Sequence, residues 1–205
     1  VREMYQDGLL IPYKQKPLDN PMSMREMLLA DRAGHIFDPP VGFHKDIHEI
    51  DFSSMFPWIM MNYNLSAEMI LTNKGPFEQV PGIPIRVSRV RRGYVARTLK
   101  PFVDARMYYK NNPTVINKKR SKGLKWVLVS SYGYLRFREF KLGLAAAHQA
   151  CCAYAREILI DSAHTCEELG AQVVHGIVDS LYVKTNEPKK ICKELEYQSG
   201  IPLTY

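Results

Sequence analysis

Residues 46–57 read Asp-Ile-His-Glu-Ile-Asp-Phe-Ser-Ser-Met-Phe-Pro, a strand pattern that leads into a proline. Its first part, residues 46–52, places isoleucine at two positions and predicts a short β-strand. Pro57 follows at once, and the apolar run over residues 58–63 predicts a buried helix. Asp51 therefore lies at the end of a strand, where a carboxylate reaches one edge of a sheet.

A second aspartate, Asp179, lies in the turn Gly-Ile-Val-Asp-Ser over residues 176–180, between two short apolar stretches. This pattern predicts the tip of a β-hairpin. Strand ends and hairpin tips can bring distant carboxylates together, and two carboxylates are the usual protein share of a two-magnesium site. The alternative is that each aspartate is an ordinary turn or cap residue, and spacing alone does not decide between the two.

The remaining pattern predicts an α+β fold in the order helix, strand, helix, helical hairpin, long helix, β-hairpin, helix. The predicted elements are a helix at 24–33 that begins with a capping box of Ser23 and Glu26, a loop-rich region at 73–85, helices at about 99–110, 114–132 and 139–169, strands at 172–175 and 181–183, and a last helix from Pro188 to Gly200.

Charge is distributed unevenly along the chain. The net charge is +7, but residues 86–141 carry sixteen Lys or Arg against Asp104 and Glu139, so the rest of the chain is acidic. A basic block of this kind indicates a surface that binds a polyanion, with a solvated helix face as the alternative. The sequence contains no apolar run long enough for a membrane span, we expect no signal peptide, and the four cysteines are expected to be reduced. A first residue other than Met suggests a fragment.

Three segments together resemble the motifs of family B DNA polymerases. Residues 51–57 resemble motif A, D-x-x-S-L-Y-P. Residues 125–133, Lys-Trp-Val-Leu-Val-Ser-Ser-Tyr-Gly, resemble motif B, K-x-x-x-N-S-x-Y-G, and residues 176–180 resemble motif C, G-D-T-D-S. Their order, with a basic helical hairpin between A and B, strengthens each match. The resemblance covers roughly residues 40–205.

The resemblance implies a polymerase palm, an antiparallel sheet with packed helices, into which an αα-hairpin of fingers is inserted. We expect palm at residues 1–85 with motif A, fingers at 86–134 with motif B, and palm again at 135–205 with motif C. The family's exonuclease domain is expected upstream and its thumb after residue 205, both outside this chain.

The resemblance also implies a role for each matching residue. Asp51 and Asp179 would be catalytic and would bind two Mg²⁺, for which Mn²⁺ can substitute, with the carbonyl of Phe52 as a further ligand. The residues expected to bind the incoming dNTP are Ser54 and Met55 through their N–H groups, Phe56 as the ring that excludes a 2′-hydroxyl, the cations Arg106, Lys110 and Lys125, and Tyr132 beside the nascent base pair.

The departures from the motifs leave two functions open. Ile177 replaces the first aspartate of motif C, Val178 its threonine, and Val129 the asparagine of motif B. These changes resemble a divergent group of archaeal family B paralogues. The first hypothesis is a DNA-directed DNA polymerase with weakened activity, and the alternative is an inactive polymerase-like DNA-binding or accessory subunit. Expected partners are primer–template DNA, dNTP and a sliding clamp reached through other regions. We expect no membrane partner and a cytoplasmic, nucleoid-associated location.

Overall fold

A computed structural model describes residues 2–8, 22–30, 32–137 and 139–205, and it confirms the α+β class. The helices are α1 (Arg2–Gln6), α2 (Met24–Ala30), α3 (Met55–Asn62), α4 (Ala67–Leu71), α5 (Tyr94–Asn111), α6 (Val115–Arg136), α7 (Ala145–Glu168) and α8 (Pro188–Ser199). The strands are β1 (Ile47–Phe52), β2 (Phe77–Gln79), β3 (Arg86–Ser88), β4 (Gln172–Ile177), β5 (Ser180–Lys184) and β6 (Leu203–Thr204). In the described residues no helix has the length and apolarity that a membrane crossing requires.

The central sheet has the strand order β4-β5-β1-β6, and its neighbouring strands are antiparallel. The register places Asp51 opposite Ser180, next to the β4–β5 turn. Side chains alternate between the two faces of a strand, so Ile50 and Phe52 point into the core while Asp51 points to the other face. The sheet thus presents motif A and motif C side by side.

The core lies between this sheet and α7, a helix of 24 residues. Small residues such as Ala147, Ala150 and Cys151 are fully buried along α7, which allows close approach of α3 and α6. On the sheet side, Ile50 and Leu181 are fully buried, and each such side chain contributes about 1.5–3 kcal/mol. The buried apolar side chains form two clusters, one that includes Ala147 and Cys151 of α7 and one that includes Ile50 and Leu181 of the sheet.

The predicted helical hairpin is present, and both of its helices are longer than predicted. The first, α5, begins at Tyr94 instead of residue 99 because distant side chains cap it. Asn64 Oδ1 accepts from Gly93 N–H at 2.7 Å, and Ser66 Oγ accepts from Val95 N–H at 3.0 Å. The second helix, α6, continues past Gly133, whose missing side chain costs only about 1 kcal/mol in a helix.

Other boundaries also differ from the predictions. The long helix α7 begins at Ala145, not at residue 139, because the chain turns tightly before it. A Cβ on Gly143 would lie 2.3 Å from the carbonyl oxygen of Phe137, so only glycine fits there. The region predicted as loop at 73–85 contains β2, which pairs with β3. The helix predicted over 58–63 begins earlier, at Met55.

Two predicted helix signals are confirmed. The capping box at the start of α2 is formed, since Ser23 N–H donates to Glu26 Oε2 at 2.8 Å and Glu26 N–H donates to Ser23 Oγ at 3.2 Å. The last helix, α8, begins at Pro188, and Gly200 follows its end with φ of +64°. The domain boundaries proposed at 85/86 and 134/135 stay a prediction.

Candidate active site

The β4–β5 turn brings the two predicted catalytic carboxylates to one edge of the sheet. The carbonyl oxygen of Asp179 accepts from Phe52 N–H at 2.9 Å, which joins the hairpin tip to the end of β1. Ser180 Oγ donates to Asp51 Oδ1 at 3.0 Å and orients that carboxylate. Both aspartates line one cavity of about 500 Å³, which we call the central cavity.

The backbone at the tip of the β4–β5 hairpin is strained, and residues before β1 support it. Val178 has φ of +53°, a conformation that costs free energy for a residue branched at Cβ. Its N–H donates to the carbonyl of His35 at 2.9 Å, and its side chain packs against Gly34. A Cβ on Gly34 would lie 2.7 Å from Val178 Cγ2, so glycine is required for this contact. The segment at 34–37 therefore holds Asp179 in place.

The carboxylates interact with each other. Burial, and next the nearby charge of Asp51, raise the pKa of Asp179 above its ordinary value. A divalent cation between them would relieve this repulsion. In the described part of the chain, no cluster of three or more His, Cys, Asp or Glu has the geometry of a metal site. The two carboxylates and Phe52, which lines the same cavity, fit Mg²⁺, an ion that takes one or two carboxylates and completes its shell with water and phosphate oxygens.

The opposite wall of the central cavity is cationic. Arg106 and Lys110 lie four residues apart on α5, and Lys125 lies on α6. Lys110 Nζ donates to Ser53 Oγ at 2.6 Å, and the guanidinium of Arg106 donates to Ser54 Oγ. Burial lowers the pKa of Arg106 and of Lys110, and the neighbouring charge of Arg106 lowers that of Lys110 further. These cations are thus partly desolvated and close together.

One hydrogen-bond donor of Arg106 is also unsatisfied among the described residues. Its Nε is buried and has no hydrogen-bond partner among the described residues. A buried donor without a partner costs about 1–3 kcal/mol, which an anion in the cavity would recover. The arrangement favours a ligand with several negatively charged oxygens.

The start of α3 forms the floor between the two walls. Ser54 has φ of +60° and precedes the helix, so the chain turns sharply at the cavity. The first N–H groups of a helix have no carbonyl partner within it, and here they belong to Met55 and Phe56. Both residues line the central cavity. This helix start adds a partial positive charge to the site.

Aromatic rings close one side of the cavity. Phe56 and Tyr132 are stacked with centroids 4.2 Å apart, and Tyr132 is stacked on His148 of α7 at 4.5 Å. The Tyr132 hydroxyl and Cys152 Sγ are 2.9 Å apart. The ring predicted to exclude a 2′-hydroxyl is thus the first of three stacked rings.

All ten predicted site residues line the central cavity. They are Asp51, Phe52, Ser54, Met55, Phe56, Arg106, Lys110, Lys125, Tyr132 and Asp179. Sequence reasoning missed Ser53, His148 and Cys152, which contact predicted residues from the side. Ser53 lies inside motif A and carried a signal, whereas the other two lie in a helix whose pattern showed only burial. The roles assigned to the ten residues stay a prediction.

A carboxylate pair opposite a cluster of cations in one cavity is typical of proteins that bind a nucleoside triphosphate with a divalent metal. The sequence model for "DNA polymerase family B" matches residues 2–195. The chain therefore belongs to DNA polymerase family B.

Relatives and solved structures agree with this family. The chain is 27% identical to "DNA polymerase 2" of Saccharolobus solfataricus over 197 residues, which are 96% of this chain and 30% of that protein. It is 29% identical to "DNA polymerase alpha catalytic subunit" of Xenopus laevis, with 82% of this chain and 12% of that protein covered. The solved family B DNA polymerase of Pyrobaculum calidifontis matches 99% of this chain and 28% of its own with a TM-score of 0.75 and 26% identity. The chain thus spans less than a third of each.

Proposed function

We propose that this chain forms the palm and fingers of a DNA-directed DNA polymerase, which transfers deoxynucleotides from dNTPs to the 3′-hydroxyl of a primer. The observation that carries the proposal is that Asp51 and Asp179 line one cavity together with Arg106, Lys110 and Lys125. The names of the two relatives, both DNA polymerases, support it.

The reaction assigns a task to each wall. The primer 3′-oxygen attacks the α-phosphorus, the bond from that phosphorus to the α–β bridging oxygen breaks, and pyrophosphate leaves while the hydroxyl proton passes to solvent. Arg106, Lys110 and Lys125 bind the triphosphate and offset the charge that develops on it. Asp51 and Asp179 would hold two Mg²⁺, whose chemistry would be to activate the attacking oxygen and stabilise the leaving one.

The aromatic side of the cavity selects the nucleotide. Phe56 is partly buried and is held by its stacking on Tyr132, so its ring cannot move aside easily to admit a 2′-hydroxyl. Tyr132 lies next to Val129, where the family's motif has asparagine, and there the nucleotide loses one polar contact. Selection in this protein therefore depends on ring contacts more than on hydrogen bonds.

The altered motif C predicts weak metal binding. Ile177 lies at the end of β4 and is 39% exposed, where the family's motif has an acid. Losing one negative charge near the metals reduces their attraction. We therefore expect low activity with Mg²⁺ and higher activity with Mn²⁺, an ion that binds nitrogen and oxygen ligands at least as readily.

Primer extension tests the proposal. The intact protein and its Asp179→Ala variant are assayed on a primed template with Mg²⁺ and, separately, with Mn²⁺. Extension that is lost in the variant supports two-metal chemistry on the remaining carboxylates. Absence of extension from both proteins, with DNA binding intact and weakened by salt, supports the alternative of an inactive accessory subunit instead. A sliding clamp partner and a nucleoid location stay predictions.

A further inference from the structure

A second cavity of about 350 Å³ lies between α5 and α6, and we call it the hairpin cleft. It shares Arg106, Lys110 and Lys125 with the central cavity, so the two spaces meet at the cations assigned to the triphosphate. From there it extends towards Pro113, in the turn between the two helices. The hairpin cleft therefore leads from the central cavity to the end of the helical hairpin.

The wall that α6 contributes to the cleft is a row of lysines. Lys118, Lys122 and Lys125 are four and three residues apart, so they lie on one face of the helix. Because a helix rises about 1.5 Å per residue, the row runs for about 10 Å away from the central cavity. Lys118 and Lys122 lie beyond the residues that line the central cavity.

This row is unfavourable in the empty protein. Like charges four residues apart on a helix repel each other. No carboxylate lines the cleft within the described parts of the chain to offset them. A narrow space lined by one sign of charge concentrates its potential, and it attracts small ions of opposite sign. The physical fit is a compact, highly charged anion.

The two carboxylates of the central cavity favour one direction of movement for a released anion. Asp51 and Asp179 line the central cavity but not the hairpin cleft, and their charges repel an anion that is no longer bonded to the nucleotide. Arg106, Lys110 and Lys125 line both cavities, whereas Lys122 lines the hairpin cleft and not the central cavity. The lysines of the hairpin cleft would therefore attract an anion released at the central cavity.

We propose that the hairpin cleft binds inorganic pyrophosphate as it leaves, with Lys118 and Lys122 as its binding residues. The inference rests on the proposed nucleotidyl transfer, because pyrophosphate is the product of that reaction. It adds a second anion site to the site that binds the triphosphate, and it predicts a product route between the two helices of the hairpin.

Calorimetric titration of the intact protein with magnesium pyrophosphate at low salt tests this site. The cleft variant is Lys118→Ala/Lys122→Ala. The control is Lys119→Ala/Lys189→Ala, which removes the same charge from two exposed positions outside the cleft. We expect the dissociation constant to rise about fivefold in the cleft variant and to stay within twofold in the control, since each exposed contact to an anion contributes little. Equal constants in the two variants would overturn the proposal.

Primer extension separates this proposal from the proposed function. We expect pyrophosphate to inhibit extension by the cleft variant about fivefold less strongly, with a smaller change in the KM for dNTP. Unchanged inhibition counts against the cleft. If no protein extends primers but calorimetry still distinguishes the two double variants, the nucleotidyl transfer fails while the pyrophosphate site stands.

Discussion

The two walls of the central cavity are built in opposite ways. On the acidic wall, Asp51 and Asp179 have short side chains whose positions follow from strand register and from the hydrogen bond between Phe52 N–H and the Asp179 carbonyl. On the basic wall, Arg106 and Lys110 have long side chains that donate hydrogen bonds to Ser54 and Ser53. The acidic wall is fixed by the backbone, and the basic wall by side-chain contacts.

The burial of the supporting elements follows the same division. Fourteen residues of α7, which packs against the sheet, are buried, whereas α6 buries only Leu128 and Leu135 among its described side chains. A metal site needs oxygens within tenths of an ångström, which a packed sheet can supply. A phosphate tail needs attraction over a longer range, which exposed cations supply. Substitutions in the two walls should therefore reduce catalytic activity to different degrees.

The largest loss of activity is expected from substitutions of the acidic wall, formed by Asp51 and Asp179. Asp51→Asn keeps the shape of the side chain but removes a charge at the metals, so kcat should fall by about 10³-fold. Primer extension under single-turnover conditions measures it. Glu49→Gln is the matched control, since Glu49 lies two residues earlier on the same strand and bonds to the Tyr182 hydroxyl instead. A comparable loss in the control would show that more than two carboxylates serve the metals.

A single substitution in the basic wall should reduce activity less, because three cations together are proposed to bind the triphosphate. We expect Arg106→Ala to lower kcat/KM for dNTP by about 10²-fold, mainly through KM, as its donors to the triphosphate are lost. Arg106→Lys should restore part of this, since it keeps the charge without the planar fork. Lys100→Ala, on the same helix and paired with Asp104, is the control. A fall in kcat alone would contradict a binding role.

Nucleotide selection comes next in size. In Phe56→Ala, the preference for dNTP over the ribonucleotide should fall about tenfold, because removing a ring from a pocket admits a hydroxyl at modest cost. Competitive incorporation of dATP and ATP measures the ratio. Phe56→Tyr keeps the ring and should keep the ratio, and an unchanged ratio in the alanine variant would remove Phe56 from this role.

Sequence patterns predicted what is local. The ends of β1 and the β4–β5 turn are specified by residues within a few positions of Asp51 and Asp179, so their places in the fold could be read in advance. The spacing of Arg106 and Lys110 likewise follows from one helix. Local patterns therefore predicted where these residues lie, whereas their roles were assigned from the resemblance to the family B motifs and stay a prediction.

Contacts between distant residues left no such pattern. The start of α5 at Tyr94 depends on Asn64, Ser66 and Glu68, about thirty residues earlier, and no helix-start signal marks it. The row from Lys118 to Lys125 was visible as charge but not as a cleft, because its second wall is another helix. The sequence did not show which surfaces of distant segments pack against each other.

The smallest expected effect concerns support behind the cavity. His148→Ala removes the ring stacked on Tyr132, and a stacked aromatic pair contributes about 1 kcal/mol. Tyr132 should then hold its position less well, and the KM for dNTP should rise about fivefold with little change in kcat. Steady-state extension at varied dNTP measures both constants.

Two further variants separate positioning from general stability. His164→Ala makes the same substitution on the exposed side of α7 and should leave both constants unchanged. His148→Phe restores a ring and should restore the KM if the stacking contact positions Tyr132. If the KM of His148→Phe is raised as much as that of the alanine variant, stacking does not position Tyr132. The contact of His148 Nδ1 with Cys152 Sγ, at 4.0 Å, would then explain the effect better.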